Sequence, residues 1–237
     1  MLIAVPSKNR AGNTTTNKLL PNCTFFVPES EVQMYSYVKN VIGVPKEIKG
    51  ITSTRNWILK NTNEKWVVFL DDDVKFAGYT EMGRTQAKKI EIKEEGFFVE
   101  EFLRAFDITE QLGYKMWGCK TESATRSVYP YKPINTKTYL TASCMGLVND
   151  GEFYFDENFK VKEDYEICLR HIVKYGGIFG IRYFHWENEH WKTEGGCKDY
   201  RTVEMEKKAI QDLNKLYPGM IRSAKMNKNE FTIQLNL

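Results

Sequence analysis

No stretch of this 237-residue chain is apolar for long enough to span a bilayer as a helix. The N-terminus M-L-I-A-V-P-S-K lacks the charged region and apolar core of a signal peptide and reads as a first strand. Cysteine is sparse: Cys23, Cys119, Cys144, Cys168 and Cys197 are widely spaced, odd in number and form no C-x-x-C pair. That argues against a zinc ribbon and for free thiols in a reducing cytoplasm. Neither G-x-G-x-x-G nor G-x-x-x-x-G-K-[ST] occurs, so a dinucleotide fold or a P-loop nucleotidase has no support. Histidine occurs three times and never as H-E-x-x-H, which removes the zinc-protease reading. Excess charge of one sign is small, with 34 basic against 31 acidic side chains, and permits contact with a polyanion without arguing for one. There are no internal repeats and no low-complexity linker.

What is present suits one globular α/β domain with a sizeable core. Strands are expected at Met1–Pro6, Thr24–Val27, Trp66–Leu70, Tyr114–Cys119, Tyr139–Leu147, Phe153–Phe155 and Ile178–Tyr183. Helices are expected from Glu29 to about Val38, at Asn56–Lys60, and from about Phe98 to Leu112. Two more are expected at Lys162–Tyr175, closed by Gly176-Gly177, and at Thr202–Tyr217. Residues Phe76–Glu95 read as an exposed strand or a mobile loop, and Thr121–Thr136 as loop. Alternation of this kind implies a mostly parallel central sheet flanked by helices.

The most informative segment is Trp66–Val74, W-V-V-F-L-D-D-D-V. Five apolar residues, rich in β-branched and aromatic types, suit a strand covered on both faces. It runs directly into Asp71, Asp72 and Asp73, whose charges repel unless a cation or donors sit among them. Ligands of open α/β sheets bind at the carboxyl ends of strands, and Mg²⁺ or Mn²⁺ commonly bridges carboxylates to phosphates. A metal–diphosphate site is one reading; a solvated acidic loop or a helix cap is the other.

Four more features carry chemistry. Pro6, Ser7, Lys8, Asn9 and Arg10 follow the first strand, where small and cationic residues can hold a base and a diphosphate. Thr54-Arg55-Asn56 is expected at a helix start; Arg55 can pair with phosphate or with a buried carboxylate, and Thr54 or Asn56 can cap. Glu163 and Asp164 open the Lys162–Tyr175 helix, either complementing its dipole or placing a base beside an acceptor hydroxyl. Phe184–Trp191 holds His185 and His190 after a strand, one of them a metal ligand or both packed among aromatics. Gly195-Gly196-Cys197 beyond it suggests a segment able to close over substrate.

Together these segments resemble the GT-A nucleotide-sugar glycosyltransferases over about Met1–His190. The resemblance implies a single GT-A, Rossmann-like domain over 1–237, with a nucleotide-binding half (1–75) and an acceptor-binding half (76–237). It implies that Asp71 and Asp73 hold Mn²⁺ or Mg²⁺ against the diphosphate of a UDP-sugar donor, with His185 or His190 completing the metal shell. Pro6, Ser7, Lys8, Arg10, Arg55, Asp71 and Asp72 would contact the donor. As in inverting members, Asp164 would activate the acceptor, with Glu163 contacting sugar or acceptor; in a retaining enzyme the donor's phosphate would serve as base and Asp164 would be a positioning group. T-A-S-C-M-G-L and G-G-C look most like a small branch found in phages and beside TET-type DNA oxygenases, which implies DNA carrying 5-hydroxymethylcytosine as acceptor and partner. A flipped base would then call on Arg126–Lys132 and the basic Arg222–Lys228. A glycosyltransferase with a protein or glycan acceptor, a metal-dependent nucleotidyltransferase and an inert sugar-nucleotide-binding module are the competing readings. The donor sugar, stereochemistry and oligomeric state are not legible in the chain.

Overall fold

A computed structural model describes residues 1–82, 87–120, 133–188, 201–227 and 230–237. In chain order, β1 (Leu2–Pro6), α1 (Thr16–Leu19), β2 (Thr24–Pro28), a 3-10 helix (Glu29–Tyr35), β3 (Asn40–Val44), α2 (Ile51–Lys60) and β4 (Trp66–Leu70) form the first part. Then come β5 (Val74–Met82), β6 (Ala87–Glu91), α3 (Glu95–Gln111), β7 (Met116–Lys120), β8 (Ile134–Asn135) and β9 (Cys144–Val148). The chain continues through α4 (Glu163–Tyr175), β10 (Phe179–Asn188), α5 (Val203–Leu216), β11 (Ile221–Asn227) and β12 (Glu230–Leu235).

One large sheet has the order β3-β2-β1-β4-β9-β7-β10-β5-β6, with β8 beside β10; β11 and β12 make a separate hairpin. Strands β1, β2, β3, β4, β6, β7 and β10 point one way, and β5, β8 and β9 the other. The expected mostly parallel sheet with helices on its faces is therefore present. No helix among the described residues is long and apolar enough to cross a membrane.

β4 is covered on both faces, as its composition implied. Val68 and Leu70 enter one core with Phe98, Phe102 and Phe106 of α3, while Val67 and Phe69 enter the other with Ile58 and Leu59 of α2 and Ile167, Cys168 and Ile172 of α4. Alternate residues of a strand point to opposite faces, so one pentapeptide serves both cores. Phe102 and Phe106 each lie with ring centroids 5.4 Å from that of Trp117. Trp117 in turn crosses Gly146 of β9, where an added Cβ would stand 2.0 Å from the indole Nε1. Glycine is required there by close approach. Cys23, Cys119, Cys144 and Cys168 are buried free thiols, and Cys197 lies outside the described residues.

Several boundaries differ from the sequence expectation. α2 starts at Ile51, not Asn56, because Gly50 supplies a φ of 90° before the first turn; Arg55 and Asn56 are one turn inside and buried. Asn56 explains a second difference: Phe153–Phe155 is not a strand. Its side-chain amide donates to the Phe155 carbonyl at 2.9 Å and accepts from the Phe155 N–H at 2.8 Å, taking the groups a ladder would use. The strand expected from Tyr139 begins only at Cys144, since the Tyr139 side chain and Leu140 backbone are drawn to α4. Glu29–Tyr35 is a 3-10 helix, and the edge strand β3 was not foreseen. Val74–Met82 and Ala87–Glu91 pair as β5 and β6.

His171, inside α4, gives a pH dependence. It is fully buried, its Nδ1 donates to the Ile167 carbonyl at 2.8 Å, and the Phe153 ring centroid lies 3.7 Å from its own. Burial pushes its pKa down to about 3. The folded state therefore holds fewer protons than the unfolded one between the ordinary value near 6.5 and the folded value. Stability is fully present above that ordinary value and is lost as pH falls below it. Lowering the pH from 7 to 5 is expected to cost about 2 kcal/mol through this group. Denaturant titrations at the two pH values should show that loss, and a His171→Leu variant should lose measurably less.

Candidate active site

The site is assembled at the carboxyl end of β4. Backbone groups fix the aspartate turn first: the Thr16 hydroxyl donates to the Asp71 carbonyl at 2.6 Å and accepts from the Val74 N–H at 3.0 Å. The N–H groups of Thr15 and Thr16 donate to the Asp72 carbonyl at 3.0 and 3.2 Å.

The three carboxylates have different surroundings. Asp72 accepts from the Ser7 hydroxyl and from Arg10 at 2.6 Å, so both of its oxygens are engaged within the protein. Burial raises its pKa, against the pull of Arg10. Arg10 reaches on to Asp73 Oδ2 at 3.1 Å. Burial alone would lower the Arg10 pKa, but Asp72 and then Asp73 carry it above its ordinary value. Asp73 Oδ1 is buried with no hydrogen-bond partner among the described residues. Asp71 accepts from the Asn188 side-chain amide at 2.8 Å; burial, then repulsion from Asp73, pushes its pKa up to about 7, while Arg55 pulls the other way.

The loop after β1 is held by the 3-10 helix. Tyr35 shares a hydrogen bond with the Ser7 hydroxyl at 2.8 Å and accepts from the Arg10 N–H at 3.2 Å, and Glu31 accepts from the Asn9 N–H at 2.8 Å. Asn9 takes a left-handed φ of 56°, a conformation that asparagine tolerates better than most residues. Pro6 closes β1 in register with Phe26, and Lys8 is exposed beside these contacts.

Arg55 lies between the carboxyl end of β4 and the start of α4. Its guanidinium donates to Glu163 at 2.9 Å, and its centre lies 5.3 Å from the Phe155 ring centroid and 5.9 Å from that of Phe69. The buried-carboxylate reading of Arg55 is the one the structure displays. Burial raises the Glu163 pKa, as does neighbouring Asp164, with Arg55 opposing both. Arg55→Met strands the Glu163 carboxylate and is expected to lower stability by about 3 kcal/mol. Denaturant unfolding would check it, and adding Glu163→Gln should return part of the loss.

Asp164 is half-buried and accepts twice, from the Tyr139 hydroxyl and from the Tyr165 N–H at 2.9 Å. Tyr139 lies flat on Tyr165, ring centroids 3.8 Å apart, and burial followed by Asp164 raises its phenol well above the ordinary value. A cavity of about 280 Å³ opens beside it, lined by Lys137, Thr138, Tyr139, Ile233, Leu235 and Leu237.

His185 lies in β10, with its backbone opposite Gly78 and Lys120. Its imidazole, the whole of His190, residues Arg126–Lys132, Gly195–Cys197 and Lys228 lie outside what the structure describes. Among the described residues no three carboxylate, imidazole or thiol side chains converge as a metal-ligand set. The chemistry of Asp71 and Asp73 nevertheless fits a hard divalent ion, since Asp73 Oδ1 is a buried carboxylate oxygen that no described residue satisfies. An ion held by two carboxylates leaves positions for diphosphate and water, the arrangement Mg²⁺ favours. Asn188, Tyr139, Tyr35 and Thr16 were not foreseen as site residues.

A family profile described as TET-Associated Glycosyltransferase matches residues 1–196. The chain belongs to that family. Membership classes it with the glycosyltransferases, and solved structures agree on the GT-A fold. Glucosyl-3-phosphoglycerate synthase from Mycobacterium tuberculosis, in complex with phosphoglyceric acid, aligns with a TM-score of 0.57 at 10% identity, over 98% of this chain and 85% of that one. S. aureus TarS 1–349 in complex with UDP-GlcNAc aligns at 0.53 and 15% identity, over 90% and 67%. The mannosyltransferase PcManGT from Pyrobaculum calidifontis, in complex with GDP-Man and Mn²⁺, aligns at 0.55 and 13% identity, over 89% and 64%. This chain spans about two thirds of TarS 1–349 and 40% of the longer TarS structure. No curated protein matches the sequence. At such identities the structural likeness speaks for the fold, and the family match for the class.

Proposed function

We propose that this protein transfers a sugar from a UDP-sugar to a hydroxyl group, with 5-hydroxymethylcytosine in DNA as the acceptor. The observation that carries the reading is the Arg55–Glu163 ion pair, which brings the aspartate-bearing end of β4 against the helix start that presents Asp164. The family's association with TET oxygenases supports the acceptor, and relatives crystallised with UDP-GlcNAc, or with Mn²⁺ and UDP, support the donor and metal.

In this reading the first part of the chain binds the donor and the second the acceptor. Ser7 and Tyr35 hold Asp72 and the loop after β1, so that Pro6, Lys8 and Arg10 line the nucleotide side. Mn²⁺ or Mg²⁺ held by Asp71 and Asp73, with His185 as a further ligand, would offset charge on the diphosphate. Glu163, fixed by Arg55, faces the sugar or acceptor. Asp164 takes the proton of the acceptor hydroxyl as it attacks the anomeric carbon, and the UDP–sugar bond breaks with inversion. Tyr139 and the Tyr165 N–H fix the orientation of that carboxylate.

The test is release of nucleoside diphosphate from a panel of UDP- and GDP-sugars with Mn²⁺, with and without DNA carrying 5-hydroxymethylcytosine. Metal-dependent release of UDP that rises only with the modified DNA is expected. Release indifferent to DNA but raised by a glycan or protein would sink the DNA acceptor. No release, with no sugar nucleotide bound by calorimetry, would sink the transferase reading. Pyrophosphate release from a nucleoside triphosphate would replace it with nucleotidyl transfer.

A further inference from the structure

Lys162 immediately precedes Glu163 and Asp164 and takes a left-handed backbone, φ 61° and ψ 21°. Among the described residues, Asn9 is the other non-glycine with positive φ, and lysine has none of asparagine's tolerance for that region. Lys162 is also the N-cap of α4, a place usually taken by Ser, Thr, Asp or Asn, and it makes no side-chain cap bond. An unfavourable conformation of this kind persists only where the surroundings over-determine it.

The surroundings here belong to the last part of the chain. The Lys162 ammonium lies 3.1 Å from Glu206 Oε2, and both side chains are buried, the Glu206 one completely. Glu206, in the first turn of α5, also accepts from the Phe231 N–H of β12 at 3.0 Å and meets Arg201 at 3.4 Å. α4 has two more ties to the same region: the Tyr165 hydroxyl donates to the Ile233 carbonyl at 3.4 Å, and the Tyr217 hydroxyl donates to Glu166 at 2.9 Å. Phe159, Val161, Tyr165 and Leu169 form an apolar cluster with Ala209, Leu213 and Ile233. Residues 201–237 all lie beyond the segment matched by the family profile.

We propose that Glu206 is a positioning residue for glycosyl transfer: its ion pair with Lys162 holds the left-handed turn that aims the Asp164 carboxylate. α5 and the C-terminal hairpin thereby become part of the acceptor side of the site. The inference rests on the reading of Asp164 as the base. In that reading a misplacement of the carboxylate affects proton removal from the acceptor, whereas the nucleotide is held by the loops after β1 and β4.

Glu206→Gln keeps the shape and an acceptor for the Phe231 N–H but removes the charge. Transfer kcat is expected to fall roughly ten- to a hundredfold, since a displacement of about 1 Å at a catalytic group can cost that much. UDP-sugar Kd should stay within about twofold of wild type, the margin of an unperturbed donor site. Amide exchange in the first turn of α4, closed by the Glu166 N–H to Lys162 carbonyl bond, should quicken while residues 170–175 keep their protection. Adding Lys162→Gly, which adopts the left-handed conformation freely, should restore kcat more than adding Lys162→Ala. If Glu206→Gln does not fold, Lys162→Gly alone should lose less kcat than Lys162→Ala alone. Unchanged kcat with unchanged first-turn exchange overturns the proposal, as does equal behaviour of glycine and alanine, which would mean a scaffold role. Asp164→Asn separates the two failures: if it keeps full kcat, the base reading itself is wrong, and the exchange pattern alone then decides the Lys162–Glu206 linkage.

Discussion

Asp73→Asn is expected to lower metal-dependent transfer by up to about a thousandfold, the upper end of what one electrostatic group at a developing charge supplies. The substitution is nearly isosteric and keeps an oxygen for Arg10, so the fold should survive with little change in unfolding midpoint. What it removes is one negative charge and the buried Oδ1, which lacks a hydrogen-bond partner among the described residues. An uncompensated carboxylate oxygen at that depth is expensive unless a cation takes it up. With asparagine in place, a divalent ion held by Asp71 and residue 73 would lose a charged ligand where it would offset charge on the diphosphate. Initial rates of UDP release over a Mn²⁺ titration would measure this. A variant that kept its rate at saturating Mn²⁺ would show that the metal, if used, is held elsewhere. Because Arg10 already lies across Asp72 and Asp73, the wild-type Mn²⁺ dependence should also be competitive in character, with Arg10→Gln loading metal at lower concentration.

Asp164→Asn is the second large effect. General bases contribute about a hundred- to ten-thousandfold, and transfer kcat should fall within that range. Donor affinity should not move, since Asp164 is held by Tyr139 and the Tyr165 N–H and not by the β4 loop. Slow metal-dependent hydrolysis of the sugar nucleotide should persist, because water reaching the anomeric carbon needs no acceptor pocket. A fall in kcat accompanied by an equal rise in donor Kd would instead place Asp164 among the donor contacts. Tyr139→Phe should reproduce a smaller part of the loss, because it frees the carboxylate without removing it.

Much of this arrangement was legible from residue types. Trp66–Leu70 suited a strand covered on both sides, and the three aspartates after it read either as a metal–diphosphate site or as a solvated acidic loop or helix cap. α4 and α5 could be read from periodicity and the Gly176-Gly177 stop. What escaped the sequence depends on who sits across from whom. Asn188 falls in register opposite Val74, directly after the aspartates, only because β10 is laid between β7 and β5. Its own neighbours Trp186, Glu187 and His190 gave no sign of it. Asn56 looked like a cap and instead occupies the backbone of Phe155, a partner 99 residues away. Arg55 was read with phosphate and carboxylate as alternatives, and local sequence could not choose between them, because Glu163 is 108 residues distant. Glu206 in an amphipathic helix looks like any solvated glutamate until the αL turn at Lys162 is seen beneath it.

The placing of β10 and α5 has a consequence for biosynthesis. Chains emerge from the ribosome from the N-terminus, and early segments fold as their partners become available. β1 to β4 can pair among themselves, yet the aspartate turn receives Asn188 only after β10 has emerged, and the Lys162 turn receives Glu206 later still. Nascent chains stalled before residue 188 would thus carry a parallel half-sheet and all three aspartates without a finished site. Sugar nucleotide could not be consumed by such fragments, and activity would appear abruptly, once the segment carrying Glu206 has emerged.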